Sequence, residues 1–297
     1  MKVAVTGATG LLGGYLVRSL LARGATPIAV VRDAELAAPL TQAGVEVRCA
    51  DLANVQELTA AFHGADCVIN SAALVGFRPY PFSRYLDVNV EGAIHVFKAM
   101  RAAGVERAIQ VSSVGVYRGH RAPIDEDNPR HGEEHRMHRF NGYKISKSLA
   151  EATAWRYATK YDLLMTTLRP AVLYGAFDRH FGVWHKRAMR MRPFRLYPNA
   201  ARFCLVYAGD VAEAAMLSLE NEKSLGRAYN VAGEYTRLRD FADEWASQTT
   251  SKPRSSLSIP VWYRRRYSSK RIERELGWTP RTYAQGIHET LEIENDG

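Results

Sequence analysis

The segment that most constrains this chain lies at its start. An apolar run, Lys2–Thr6, leads directly into Gly7-Ala8-Thr9-Gly10-Leu11-Leu12-Gly13, and an apolar helical face follows at Leu12, Leu16, Leu20 and Leu21. Glycines between a strand and a helix let the backbone turn tightly. They also let a pyrophosphate approach the amides at the helix N-terminus. Such a motif carries weight only between a strand and a helix at the head of a βαβ unit, and that is its setting here. Gly24 supplies the helix stop.

The pattern then repeats. Further strands are expected at Thr26–Val31, Val45–Ala50, Cys67–Ser71, Ala108–Ser112 and Leu163–Arg169. Most are apolar on both faces, as strands of a covered parallel sheet are. Longer helices are expected at Tyr85–Ala103 and Asn141–Tyr161. The fold class that follows is α/β, a Rossmann-type doubly wound parallel sheet with right-handed crossovers. After Arg169-Pro170 the pattern loosens, and residues 176–203 show no clear strand period. A helix at Asp210–Glu220 and a strand at Tyr229–Val231 return to the sheet. The expected organisation is a dinucleotide-binding domain, 1–170 plus 204–232, and a smaller discontinuous substrate-binding lobe, 171–203 plus 233–297.

Composition removes several function classes. No segment has the roughly 18 uninterrupted apolar residues of a membrane span. The N-terminus lacks a signal-peptide pattern, so a cytoplasmic location is expected. Cys49, Cys67 and Cys204 are too widely spaced for a metal pair or a disulfide framework. The net charge of +9 comes from an excess of Arg, 31 against 9 Lys. Its basic residues are dispersed, which disfavours nucleic acid and leaves an anionic small ligand or solvated faces. A small-molecule substrate is expected, and a homodimer is compatible with the sequence.

Three positions point to chemistry. Tyr143 and Lys147 stand four residues apart in a helical pattern and share a face. An ammonium beside a phenol favours phenolate and would lower its pKa toward the working pH. Ser112-Ser113 closes a strand, and strand tips of open parallel sheets face the ligand crevice. A hydroxyl there can bond a reacting carbonyl, or it can cap a turn. At the tip of the second strand Arg32 suits the 2′-phosphate of NADP. Asp33 suits the ribose of NAD or the cap of the next helix.

Together these residues resemble the extended short-chain dehydrogenase/reductase family, of the dihydroflavonol-reductase and 3β-hydroxysteroid-dehydrogenase type. The resemblance runs over Thr6–Gly13, Asp51-Leu52, Asn70–Ala73, Asn89–Gly92, Val111–Tyr117, Tyr143–Lys147, Arg169-Pro170, Asp210-Val211-Ala212 and Leu276–Pro280. It implies an NADP(H)-dependent oxidoreductase, with NAD as the other cofactor. Tyr143 would be the general acid/base. Lys147 would hold the nicotinamide ribose and tune Tyr143, and Ser113 would orient the carbonyl. Gly7, Gly10 and Gly13 would form the phosphate loop with Thr9, Leu11 and Leu12. Asp51 and Leu52 would flank adenine, Ala72 and Ala73 would line the dinucleotide path, and Pro170 would complete it. Asn89 would join a proton relay or serve its helix structurally.

Departures from the pattern bear on the substrate. Ser113-Val114-Gly115 stands where family dehydratases carry Thr-Asp-Glu, and Val172 where many nucleotide-sugar members carry Asn. Both favour a mainly apolar ketone or aldehyde and its alcohol. A nucleotide-sugar epimerase and a non-catalytic dinucleotide-binding regulator are the alternatives. Trp184, Met189, Met191 and Phe194 suit an apolar pocket or a lobe core. His185, Lys186, Arg187, Arg190, Arg192, Arg195 and Arg202 suit an anionic group or solvent. His131, His135 and His138, with Glu133 and Glu134, have metal-compatible spacing. The family chemistry needs no metal, and none is expected.

Overall fold

Alternation within single strands builds the sheet. In β1 (Lys2–Thr6), Val3 and Val5 face one apolar cluster and Ala4 the other. In β2 (Thr26–Val31), Ala29 and Val31 join the first cluster, Ile28 and Val30 the second. A strand apolar on both faces is stable only when both are covered, so helices must pack on each side. The computed structural model describes residues 1–75, 80–119, 123–132, 142–178, 195–197, 201–249, 256–258 and 264–296.

The other strands of the main sheet are β3 (Glu46–Cys49), β4 (Cys67–Asn70), β5 (Arg107–Val111), β6 (Leu164–Pro170) and, later in the chain, β10 (Ala228–Val231). All pair in parallel, in the order β10-β6-β5-β4-β1-β2-β3. The order reverses between β1 and β4. At such a switch point two neighbouring loops diverge and open a crevice at the carboxyl ends of the strands. One face is covered by α1 (Leu11–Ala22) and α7 (Ala208–Glu220). The other is covered by α3 (Val55–Phe62), α5 (Gly92–Ala103) and α6 (Gly142–Tyr161).

The helix expected over 85–103 is composite. A short α4 (Phe82–Tyr85) runs into a π-helical turn, Leu86–Glu91, and then into α5. Gly104 ends α5 in the left-handed conformation, φ 72°.

After Pro170 the chain adds, among the described residues, five short strands outside the main sheet. β7 (Val172–Tyr174) and β11 (Tyr235–Arg237) flank β9 (Arg202–Tyr207) in a second sheet, and β8 (Arg195–Tyr197) pairs with β12 (Ser256–Ser258). Four of the five have three residues, too short to display an alternation, which is why the sequence hides them. The remaining helices are α2 (Ala38–Gln42), α8 (Leu238–Gln248), α9 (Lys270–Leu276) and α10 (Tyr283–Asp296). No helix among the described residues is long and apolar enough to cross a membrane.

Candidate active site

The glycine loop is shaped by contact. Gly7 adopts φ +69°, and a Cβ there would stand 2.9 Å from Ala72 Cα. A Cβ on Gly13 would meet the Gly7 carbonyl oxygen at 2.1 Å and Ala8 Cα at 2.7 Å. Helix and strand approach so closely that only glycine fits. Gly10 caps α1, and its amide donates to the Gly7 carbonyl at 2.9 Å. Leu12 turns into the hydrophobic core and Leu11 packs against it. Their side chains therefore belong to the fold, and only their amides are left for a phosphate.

Beside this loop a cavity of about 380 Å³ opens over the switch point. Thr6, Gly7 and Thr9 form one wall, Arg32, Asp33, Asp51 and Leu52 another, and Ala72 and Ala73 a third. The sequence missed Leu36, Leu74, Arg84, Asp87 and Val88, which also line it. Arg84, Asp87 and Val88 come in on α4 and the π-turn, from another part of the chain, while Leu36 and Leu74 lie in the segments that follow β2 and β4, and no glycine signature marks any of them. Asp33 Oδ1 accepts from the Glu35 amide at 2.9 Å, so this acid is tied to the first amide of the 3₁₀ turn that follows. Arg32 stands exposed on the rim. A cradle that a Cβ would fill, opening into a mainly apolar cleft with Arg32, Asp33, Asp51 and Arg84 on its walls, fits a dinucleotide.

A chain of polar side chains runs beneath the cleft. Thr6 Oγ1 donates to Asn70 Oδ1 at 2.8 Å, and Asn70 Nδ2 donates to Gln110 Oε1 at 2.9 Å. Gln110 Nε2 donates to the Val111 carbonyl at 3.3 Å. Lys147 Nζ donates to that same carbonyl at 2.8 Å. Buried polar groups persist when each has a partner, and this row ties the ends of β1, β4 and β5 to α6.

Ser113, Tyr143 and Lys147 come together at the tip of β5. Ser113 caps a 3₁₀ turn, Val114–Val116, and its Oγ accepts from the Gly115 amide at 3.0 Å. The Tyr143 hydroxyl shares a hydrogen bond with the Ser113 side chain. Burial pushes the Tyr143 phenol up to about 12, partly offset by Ser113. Lys147 is only 4% exposed, and burial brings its ammonium down to about 8 against the opposing charge of Glu151. The expected lowering of Tyr143 by Lys147 is therefore absent. The ammonium is bonded to a backbone carbonyl, and burial dominates both groups. Pro170 ends β6, paired with Val231, and does not line the cavity.

Asn89 resolves between its two readings by its bonds. Its Oδ1 accepts from the Leu74 amide at 2.7 Å, and its Nδ2 donates to the Leu74 carbonyl at 3.2 Å and to Ser146 Oγ at 3.0 Å. It holds the cleft wall against α6. Glu151 and Arg169 form a buried pair behind Lys147, Nη2 to Oε1 2.6 Å. Sequence reasoning passed over Glu151, since an acid four residues from a lysine on a helix is usually a solvated partner. Of the histidine cluster only His131 is described, and His135, His138, Glu133 and Glu134 lie outside the described residues, as do Trp184, His185, Lys186, Arg187, Met189, Arg190, Met191, Arg192, Phe194 and the side chain of Arg195. Arg202 stacks over the Tyr235 ring, 5.8 Å from its centroid.

Comparison with known proteins agrees with this architecture. The model of the NAD dependent epimerase/dehydratase family matches residues 3–232. Sterol demethylase protein B of Methylococcus capsulatus is 30% identical over 265 residues, 88% of this chain and 78% of that protein. A bifunctional dihydroflavonol 4-reductase/flavanone 4-reductase of Pyrus communis is 31% identical over 191 residues, 59% of this chain and 55% of that protein. Among solved structures, MoeE5 in complex with UDP-glucuronic acid and NAD superposes with a TM-score of 0.82 at 26% identity, over 100% of this chain and 99% of that one. The chain thus belongs to the NAD dependent epimerase/dehydratase family, the extended short-chain dehydrogenase/reductases, and is an NAD(P)-dependent enzyme of oxidoreductase type.

Proposed function

We propose that this enzyme is an NADP(H)-dependent reductase that interconverts a mainly apolar ketone or aldehyde and its alcohol. The observation that carries the reading is the Tyr143–Ser113 hydrogen bond at the strand tip, with a phenol that stays protonated far above neutral pH. Such a phenol is a proton donor at pH 7 and suits carbonyl reduction. Ser113 holds the carbonyl oxygen, and Tyr143 delivers the proton to that oxygen as it becomes an alcohol. Lys147, positively charged below about pH 8, places its charge at the β5 tip and would hold the ribose next to the reacting ring. When bound, the nicotinamide supplies the hydride. The glycine loop would hold the pyrophosphate, Asp51 and Leu52 the adenine side, and Ala72 and Ala73 the path toward Tyr143.

NADP is favoured over NAD by Arg32. Its guanidinium stands on the cleft rim, while the neighbouring Asp33 carboxylate is engaged by the Glu35 amide. Arg84 adds a second cation to the same cleft. The apolar substrate is supported by the absence of an acid pair after Ser113, by Val172, and by relatives named for a sterol and a dihydroflavonol. The lobe of 171–203 plus 233–297 would cover that substrate. One observation favours a second reading: the MoeE5 structure carries a nucleotide sugar. The test is turnover of NADPH against a dihydroflavonol, a 3-ketosteroid and UDP-sugars in parallel. Reduction of an apolar ketone is expected. Turnover of a UDP-sugar with no ketone reduced would make the enzyme an epimerase. Binding of NADPH with no turnover of either class would favour a regulator.

A further inference from the structure

Helix α6 grips the tip of β5 at three successive turns. Tyr143 bonds with Ser113, Lys147 with the Val111 carbonyl at 2.8 Å, and Glu151 Oε2 accepts from Ser112 Oγ at 2.6 Å. Residues four apart on a helix share a face, so one face holds the last strand residue, Val111, and the two residues that follow it. From Ile145 to Glu151 every residue of α6 is buried.

The third grip needs explaining, because Glu151 is fully buried and does not line the cleft. A buried carboxylate is costly unless paired and hydrogen-bonded. Arg169 pairs with it from β6, Nη2 at 2.6 Å and Nε at 3.0 Å, and Arg130 Nη1 approaches at 2.5 Å. Arg169 Nη1 donates to the Tyr117 hydroxyl at 2.6 Å, and that hydroxyl donates to Asn230 Oδ1 on β10 at 2.6 Å. Glu151 cannot slide along the helix axis without breaking bonds that reach β5, β6 and β10.

We propose that Glu151, clamped by Arg169, is a positioning residue that sets the register of α6 on the β5 tip and supplies the counter-charge for the ammonium of Lys147. The proposal rests on the assignment of Tyr143 and Lys147 given above. The groups around this cluster are Tyr143 on α6, Arg169 on β6, Arg130 before α6, Tyr117 after the 3₁₀ turn, Tyr85 on α4 and Glu126, whose carbonyl lies 3.4 Å from Arg169 Nη1. Against the burial that lowers Lys147, the opposing charge is that of Glu151. Its own carboxyl resists burial and is held below the usual range by Arg169 first and Arg130 next.

The experiment follows Lys147 directly. Protein labelled with ε-¹³C lysine is titrated by NMR, with Lys147→Met to assign its signal. The variants are Glu151→Gln, Glu151→Asp and Glu151→Met/Arg169→Met, the last removing both charges so that no arginine is stranded if Glu151→Gln fails to fold. Loss of a nearby opposite charge moves a titration by about one pH unit or more. The Lys147 midpoint should fall from about 8 in the native protein to about 7 or below in Glu151→Gln, return toward 8 in Glu151→Asp, and fall by less in the double variant, which loses a charge of each sign. A native midpoint in folded Glu151→Gln, or in the double variant should Glu151→Gln not fold, would overturn the proposal, leaving the pair a purely structural tie. Turnover of the dihydroflavonol probe by Lys147→Ala and Tyr143→Phe is measured alongside. Full activity in those two variants would refute the assignment of the site, whatever the Lys147 titration shows.

Discussion

At Gly13 a methyl group has nowhere to go, because the atoms it would strike at 2.1 and 2.7 Å are backbone. Gly13→Ala must shift the loop or α1. We expect cofactor affinity, read by fluorescence of bound NADPH, to fall at least tenfold, with a lower Tm. Tyr143 is the opposite case. Tyr143→Phe removes one hydroxyl and leaves the packing against Tyr85 in place, ring centroids 6.4 Å apart. The fold and NADPH binding should survive while turnover drops by about 10²–10⁴, the usual loss on removing a general acid/base. Near-native turnover would exclude this phenol as the proton donor. The pH dependence follows from Lys147, whose ammonium is depressed from the ordinary lysine value to about 8. It is charged below that pH and neutral above it. Ketone reduction should therefore decline as pH rises through about 8, while Tyr143, near 12, stays protonated across the range. A rate flat from pH 7 to 10 would show that the charge of Lys147 does not matter.

At the level of elements, the π-helical turn between α4 and α5 has a consequence of its own. Its extra residue per turn presents the buried Asn89 to both polar groups of Leu74 and to Ser146. Inserted turns of this kind often occur at functional sites. Asn89→Leu would take the side-chain partner from the half-buried amide and carbonyl of Leu74, at up to about 1–3 kcal/mol for a group left unsatisfied. Chemical denaturation should show that loss, and NADPH should bind more weakly because Leu74 lines the cleft. Loss of stability with unchanged affinity would confine Asn89 to the fold. The π-turn is not legible in the sequence, since Leu86–Glu91 satisfies an α-helical pattern as well. Glu151 is hidden for a similar reason: residue spacing gives its helix face, but not whether that face meets solvent or β6.

Across the molecule, the C-terminal segment is bolted to the dinucleotide half by one side chain above others. Trp278, 1% exposed, donates from Nε1 to the Asp210 carbonyl at 2.8 Å, and Arg281 pairs with the Asp210 carboxylate. Truncating a fully buried aromatic costs about 3–5 kcal/mol, a large share of the 5–15 kcal/mol that typically holds a domain. Trp278→Ala should unfold at a markedly lower temperature. It should also lose ketone turnover before NADPH binding if the 171–203 plus 233–297 lobe covers the substrate. Simultaneous loss of both would place the damage in the core instead.

The local pattern of residues was enough to determine the Rossmann sheet. Strands that are apolar on two faces, glycines between a strand and a helix, and stops such as Gly24 and Gly104 are each short-range features, and β1 and β2 stand where their patterns place them. The positions of Tyr143 and Lys147 on one helix face follow from spacing alone, as does Ser113 at a strand tip. Their protonation did not follow. Spacing pointed to a lowered phenol, whereas burial raises Tyr143 and lowers Lys147, because desolvation depends on everything packed around a group rather than on its neighbour in sequence. The same holds for Arg84, Asn89, Glu151 and Arg169. Asn89, Glu151 and Arg169 act through partners distant in the chain, Arg84 reaches a cleft formed by distant residues, and only the tertiary structure decides which groups come together.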